Sequence, residues 1–221
     1  MQFGALIVAA GMSSRMGEFK PMLNIGSISI AQRIVATLRQ SGVTRIVMVT
    51  GHNAWELERH LANNGLIFLR NEQYRTTQMF DSAKIGLEYL KDKCDGILFM
   101  PVDIPLFTAS TVSALMDCGA RLVCPVCEGR RGHPILIGTE LVDTILAYRG
   151  EGGLGGAIEH CGAEMTEIAV EDSGILHDAD TPEDYRALLS YHNRQLVRPI
   201  INVELAKEKV FFDRKIAMLL T

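Results

Sequence analysis

The chain has 221 residues, 48% of them hydrophobic, and a formal net charge of −4. That length buries one good core with at most a small appendage. A net acidic chain provides no global basic field for nucleic acid, so none is expected as a partner of residues 1–192, and an anionic ligand must rest on local cations. No apolar stretch approaches the ~20 residues of a membrane span, and the first residues lack the basic lead-in and cleavage pattern of a secretory signal; no membrane partner and a cytoplasmic location are expected. The five cysteines are scattered and odd in number, which argues against a disulfide framework. Cys124 and Cys127 have metal-like spacing but no second pair, and in a strand residues three apart point to opposite faces.

Phe3–Ala9 reads as a buried strand. It empties into a Gly/Ser loop, Ala10-Gly11-Met12-Ser13-Ser14, followed by Arg15, Gly17 and Lys20-Pro21. A strand that ends in such a loop presents backbone N–H groups to an anion, and the two cations add full charges. The combination fits a triphosphate, with Gly11 allowing close backbone approach. It is neither a P-loop, because Gly17 is followed by Glu18, nor a dinucleotide fingerprint, because Gly11 is followed by Met12 and Ser13.

Downstream, Arg45–Thr50, Leu66–Leu69 and Gly96–Met100 read as strands. Ile30–Gln40, Asn53–Asn63 and Gln78–Lys91 read as the intervening helices, with Gly42 stopping the first and Thr76 or Thr77 capping the third. Strands alternating with helices imply an α/β fold, a mostly parallel sheet covered on both faces. Ligands bind such sheets at the carboxyl ends of their strands. Thr50-Gly51-His52 ends one strand at that edge and can form a wall of the pocket.

The strand at Ile97–Met100 ends in Pro101-Val102-Asp103-Ile104-Pro105. The prolines stiffen the turn and hold the carboxylate, and a hard cation such as Mg²⁺ takes one or two carboxylates plus the phosphates of its substrate. Leu122–Val126 and Pro134–Ile137 read as strands joined by a polar turn, in which Arg130, Arg131, Gly132 and His133 offer positive charge to a phosphorylated acceptor. Gly150–Gly156 reads as a loop feeding a short helix at Ala157–His160, and Met165–Val170 as a strand. Thr181-Pro182-Glu183-Asp184 is a helix start, with Thr as N-cap, Pro in the first turn and acids next to the positive helix end. That helix is expected to run to about Tyr191. Asp180, just before it, is the second candidate metal ligand. A strand at Leu196–Leu205 and a helix from Lys207 follow.

These motifs, in this order, resemble those of the MobA-like NTP transferases, and most closely the molybdenum cofactor cytidylyltransferase branch. The resemblance spans Met1 to Tyr191. It implies a Rossmann-like three-layer αβα sandwich of the nucleotide-diphospho-sugar transferase type. It implies an enzyme in which Ala9, Ala10, Gly11, Ser13, Ser14, Arg15 and Lys20 bind the nucleotide, with Arg15, Lys20 and Asp103 catalytic. Asp103 and Asp180 would bind Mg²⁺ as cofactor, the latter by likeness to the family's Asp-x-Asp-Thr-Pro-Glu-Asp motif. The Gly132-His133-Pro134 step is similar to the family's acceptor-binding turn, which adds Arg131 and Pro134 to the acceptor set. Ala9-Ala10-Gly11 resembles the CTP-using branch more than the GTP-using one, and the implied acceptor is molybdopterin bearing molybdenum.

Two segments depart from the family pattern, both on the acceptor side. Gln78-Met79-Phe80-Asp81-Ser82 stands where small polar residues are usual, and Gly150–Gly156 lacks an arginine. Residues 1–192 are expected to form the transferase domain and 193–221 an extension. That extension resembles the opening strand and helix of a molybdate-responsive winged-helix regulator, so a fused DNA-binding domain beyond Thr221 is an expected partner. A cytidylyltransferase for another small phosphate, and a non-catalytic nucleotide or cofactor sensor, are the alternative readings.

Overall fold

A computed structural model describes residues 1–196. The central strand β1 (Phe3–Ala9) is flanked in parallel by β4 (Arg45–Thr50) and β6 (Gly96–Pro101), and β5 (Ile67–Arg70) extends the sheet beyond β4. Beyond β6 come the antiparallel β9 (Ile135–Gly138), then β7 (Leu122–Cys127) and β10 (Thr166–Ala169). The order is β5-β4-β1-β6-β9-β7-β10, with the short β8 (Arg130–Arg131) folded back on β7. A separate two-stranded hairpin, β2 (Asn24–Ile25) with β3 (Ile28–Ser29), precedes the first helix.

The central strands are apolar on both faces because both faces are covered. In β1, Ala5, Ile7 and Ala9 join one core and Leu6 and Val8 the other, as a side-chain period of two requires. The first core is closed by α1 (Ile30–Gln40), α2 (Ala54–His60), α4 (Ala109–Asp117) and α7 (182–196), and the second by α3 (Met79–Leu90), α5 (Val142–Ala147) and α6 (Gly153–His160). The fold is a three-layer αβα sandwich on a mostly parallel sheet. Cys124 and Cys127 are free and sit in opposite cores.

The helices start where side chains satisfy their free N–H groups. Ser29 caps α1 in a capping box with Gln32. Thr108 caps α4, and the buried Asp172 carboxylate accepts from Thr108 N, Thr108 Oγ1 and Thr111 Oγ1 at 2.8, 2.9 and 2.6 Å. Asp103 is not a helix cap. Thr181 and Asp184 cap α7 reciprocally.

Several expected boundaries are corrected. The N-cap of α3 is Gln78, not Thr76 or Thr77, because both threonine hydroxyls donate to Gln73 O in the preceding turn. The helix expected over Asn53–Asn63 is α2, ending at His60, then a 3₁₀ turn at Ala62–Asn64. α6 begins at Gly153, inside the stretch read as a glycine loop. A Cβ on Gly156 would strike Glu151 O and approach Tyr148 Oη, so the tight first turn needs that glycine despite its poor helix propensity. α7 continues past Tyr191 to the last described residue, so Leu196 is helical rather than the start of a strand. The rest of the expected extension lies outside the described residues. Among those residues no helix is long and apolar enough to cross a membrane.

Candidate active site

The chain runs β1, β4, β5 in one direction across the sheet, then returns to place β6 on the other side of β1. A crevice opens at the carboxyl ends of strands where the winding reverses. Here it is a cleft of about 290 Å³ at the ends of β1 and β6.

Its first wall is the loop after β1. Met16 is buried and anchors it. Met16 N and Gly17 N both donate to Ser13 O, with Ser13 and Gly17 at positive φ. A Cβ built on Gly11 meets nothing within 4 Å, so that position faces open space. Lys20 N donates to Ser13 Oγ, and Pro21 follows in a 3₁₀ turn, which fixes the Lys20 backbone.

The floor comes from two turns far apart in sequence. Val102 N donates to Val8 O and continues the β1–β6 ladder to the Asp103 turn. Ala179 N donates to Asp103 O, which places Asp180 beside Asp103. Lys20 Nζ lies between the carboxylates, 2.6 Å from Asp180 Oδ1 and 3.5 Å from Asp103 Oδ2. Arg15 Nη2 is 2.8 Å from Asp180 Oδ2. The Lys20 side chain is 10% exposed and that of Arg15 71%, so one cation is built in and the other reaches from solvent.

The carboxylates differ accordingly. Burial pushes the Asp103 carboxyl above the ordinary carboxylate range, against the pull of Lys20 and with the push of Asp180. The Lys20 hydrogen bond holds Asp180 below that range, against burial.

All seven residues singled out for the nucleotide line this cleft, together with Asp103 and Asp180. The opposite wall is formed by Tyr74, Thr77, Gln78, Met79 and Ser82. Gln78–Ser82 stood out in the sequence only as a departure from the family pattern. Tyr74 carried no signal, because its place depends on tertiary packing. A Cβ on Gly51 would lie 2.7 Å from Tyr74 Cβ and 2.8 Å from Ala10 O; glycine there lets the Tyr74 loop close on the first wall. His52 is packed between Phe19 and Tyr74, with ring centroids 5.7 and 5.9 Å away.

The proposed acceptor turn is not part of that lining. Register pairs Phe99 with Ile135, so His133 lies at the same carboxyl edge of the sheet, one strand beyond β6. Arg131 is exposed and paired with Glu167 of β10 at 2.6 Å. Gly132 packs on Ile175, and His133 N donates to Ile175 O. The His133 ring stacks edge-on against Phe99, with its Nδ1 buried and unpartnered. Burial lowers its pKa to about 4, so the ring is neutral at pH 7.

Two carboxylates beside an open loop that carries two cations are a donor set that a hard divalent cation can share with phosphates. Among the described residues, no group of three or more His, Cys, Asp and Glu that could hold a metal ion gathers, here or elsewhere, so a cation in the cleft would depend on phosphate oxygens for the rest of its ligands.

Residues 5–165 match the MobA-like NTP transferase domain. The bifunctional protein GlmU of Staphylococcus haemolyticus is 30% identical over 119 residues, which cover 53% of this chain and 26% of that protein; the chain thus spans about a quarter of that relative's length. Among solved structures, a nucleotidyl transferase from Methanothermobacter thermautotroptrophicus superposes with a TM-score of 0.77 at 20% identity, over 88% of this chain and 99% of that one. Rv0371c from Mycobacterium tuberculosis, in complex with manganese, gives 0.71 at 20% identity, over 86% and 99%. At those identities the superpositions show the fold, and it is the match over residues 5–165 that establishes descent: the chain belongs to the MobA-like NTP transferase family.

Proposed function

We propose that the chain is a nucleotidyltransferase that moves a nucleoside monophosphate, CMP from CTP, onto the phosphate of a molybdopterin-type acceptor with release of pyrophosphate. The observation that supports this reading is the convergence of the Gly11–Lys20 loop with Asp103 and Asp180 in one cleft. An acceptor phosphate oxygen would attack the α-phosphorus in line. The new P–O bond forms as the bond to the β-phosphate bridge breaks, and the electron pair leaves with pyrophosphate. The chain needs no covalent nucleophile for this.

The loop backbone around Gly11 and Ser13 would cradle the phosphates. Arg15 and Lys20 would neutralise charge on the triphosphate and the leaving pyrophosphate. Asp103 and Asp180 would hold Mg²⁺, which when bound supplies Lewis-acid polarisation of the phosphate oxygens. Tyr74, Thr77 and Gln78 would confine the base and ribose, while Arg131, Gly132, His133 and Pro134 would flank the acceptor one strand away. The preference for CTP rests on Ala9-Ala10-Gly11, and the molybdopterin acceptor on the family motifs.

The test is pyrophosphate release from CTP and from GTP with Mg²⁺, with and without molybdenum cofactor. Cofactor-dependent release from CTP is expected. Release from GTP instead would overturn the base assignment. Nucleotide binding without release would overturn the acceptor and favour a binding module.

A further inference from the structure

Charge in the free cleft is balanced: Arg15 and Lys20 face Asp103 and Asp180. A triphosphate entering this arrangement finds no uncommitted positive charge. A divalent cation entering alone finds Lys20 Nζ already 2.6 Å from Asp180 Oδ1 and 3.5 Å from Asp103 Oδ2. Mg²⁺ sits about 2.1 Å from a carboxylate oxygen, so on these oxygens it would lie close to the ammonium and be repelled by it. In the free protein Lys20 is held at the two acids: its side chain is 10% exposed, and its backbone is pinned by Ser13 Oγ and Pro21. Only rotation about the side chain is available, and the loop that would hold phosphates is within its reach.

We infer that Lys20 is an internal counter-ion that fills the divalent-cation position of the nucleotide-free protein, so that metal and Lys20 exclude one another on Asp103 and Asp180. Metal enters tightly only when a triphosphate draws Lys20 away, and Lys20 and Arg15 then pass from the carboxylates to the phosphates while the metal takes their place. Binding is therefore strongly cooperative between metal and nucleotide, and the free protein resists metal loading. This rests on the placement of metal and triphosphate proposed above.

Mn²⁺ binding to the full chain without nucleotide, followed by electron paramagnetic resonance, tests it. Lys20→Met removes the competing charge and should bind Mn²⁺ about 10- to 100-fold more tightly than wild type, the scale of deleting one charge in contact with the ligands. Adding Asp103→Asn or Asp180→Asn should abolish the gain. Lys20→Gln keeps a polar side chain and should show the same sign if the methionine variant folds poorly; in either variant, Mn²⁺ should raise the melting temperature by several degrees more than in wild type. Equal or weaker Mn²⁺ binding in both variants overturns the inference, while loss of nucleotide-dependent Mn²⁺ binding in Asp103→Asn would leave the proposed site standing. Mn²⁺ binding indifferent to both aspartates, with or without nucleotide, overturns the inference and the metal assignment together.

Discussion

Replacing Gly86 with alanine probes how firmly α3, which carries one wall of the cleft, is seated on the sheet. A Cβ built there overlaps Leu6 Cδ1 and lies 2.9 Å from Cδ2 and 3.0 Å from Cγ. Carbon atoms at rest sit about 3.5–4.0 Å apart, so α3 or Leu6 must retreat by roughly 0.5–1 Å. Leu6 is fully buried in the central strand and cannot yield without opening the second core. Overpacking of this kind costs about 1–3 kcal/mol, and the better helix propensity of alanine offsets about 1 kcal/mol. The net expectation is a loss of up to about 2 kcal/mol, read by urea denaturation at constant m. Nucleotide affinity should fall as well, because Met79 and Ser82 move with the helix. Leu6→Ala alone should cost about 2–5 kcal/mol, and the double variant less than the sum of the singles, since the methyl fills part of the space. A stabilising Gly86→Ala, or strict additivity with Leu6→Ala, would refute the close approach of α3 to β1.

Lys20→Ala and Arg15→Ala should each lower turnover about 10²–10³-fold if they act as preorganised electrostatic groups; unchanged steady-state rates would remove them from the chemistry. Asp172→Ala strips four bonds from Thr108, Thr111 and Gly174 and should destabilise by about 3 kcal/mol through orphaned buried donors, measured as a lower melting temperature. His133 is held neutral, its pKa about 4 when folded against 6.5 for the free side chain. The unfolded chain therefore binds the extra proton between those values, and stability contributed at neutral pH is lost as pH falls from about 6.5 to 4, at most about 3 kcal/mol. Denaturation of wild type and His133→Gln at pH 7 and 5 checks this; equal slopes would remove His133 as the cause. For the same reason, a pH–rate profile should show no His133 limb near neutrality.

Much of the scaffold was legible because its signals are local. Continuous apolar runs such as Leu6–Ala9 and Ile97–Met100 mark strands buried on both faces, and Thr181-Pro182 marks a helix start. The cleft loop and the Asp103 turn were legible because charge and glycine sit at strand ends. What could not be read depends on pairing across the chain. The pairing of β7 with both β8 and β10 brings Arg131 to Glu167 rather than to the cleft, and no residue near Arg131 encodes that. Tyr74 reaches the site only because Gly51 lets two loops close. The start of α6 at Gly153 is set by packing that overrides propensity. The placement of Lys20 between two acids, 83 and 160 residues away in sequence, is a tertiary fact as well.

The bond from Ala179 N to Asp103 O has an architectural meaning of its own. The chain leaves the floor of the cleft after Asp103, builds α4 to α6 and strands β7 to β10, and comes back to its point of departure. Everything in that excursion begins and ends at one fixed spot, so the bond, and not the path of the intervening chain, sets how close the two carboxylates lie. The Gly11–Lys20 half of the cleft lies wholly outside it. On the function proposed above, the residues that would hold the triphosphate and the turn at Arg131–Pro134 that would flank the acceptor belong to different stretches of one polypeptide, the first before the excursion and the second within it.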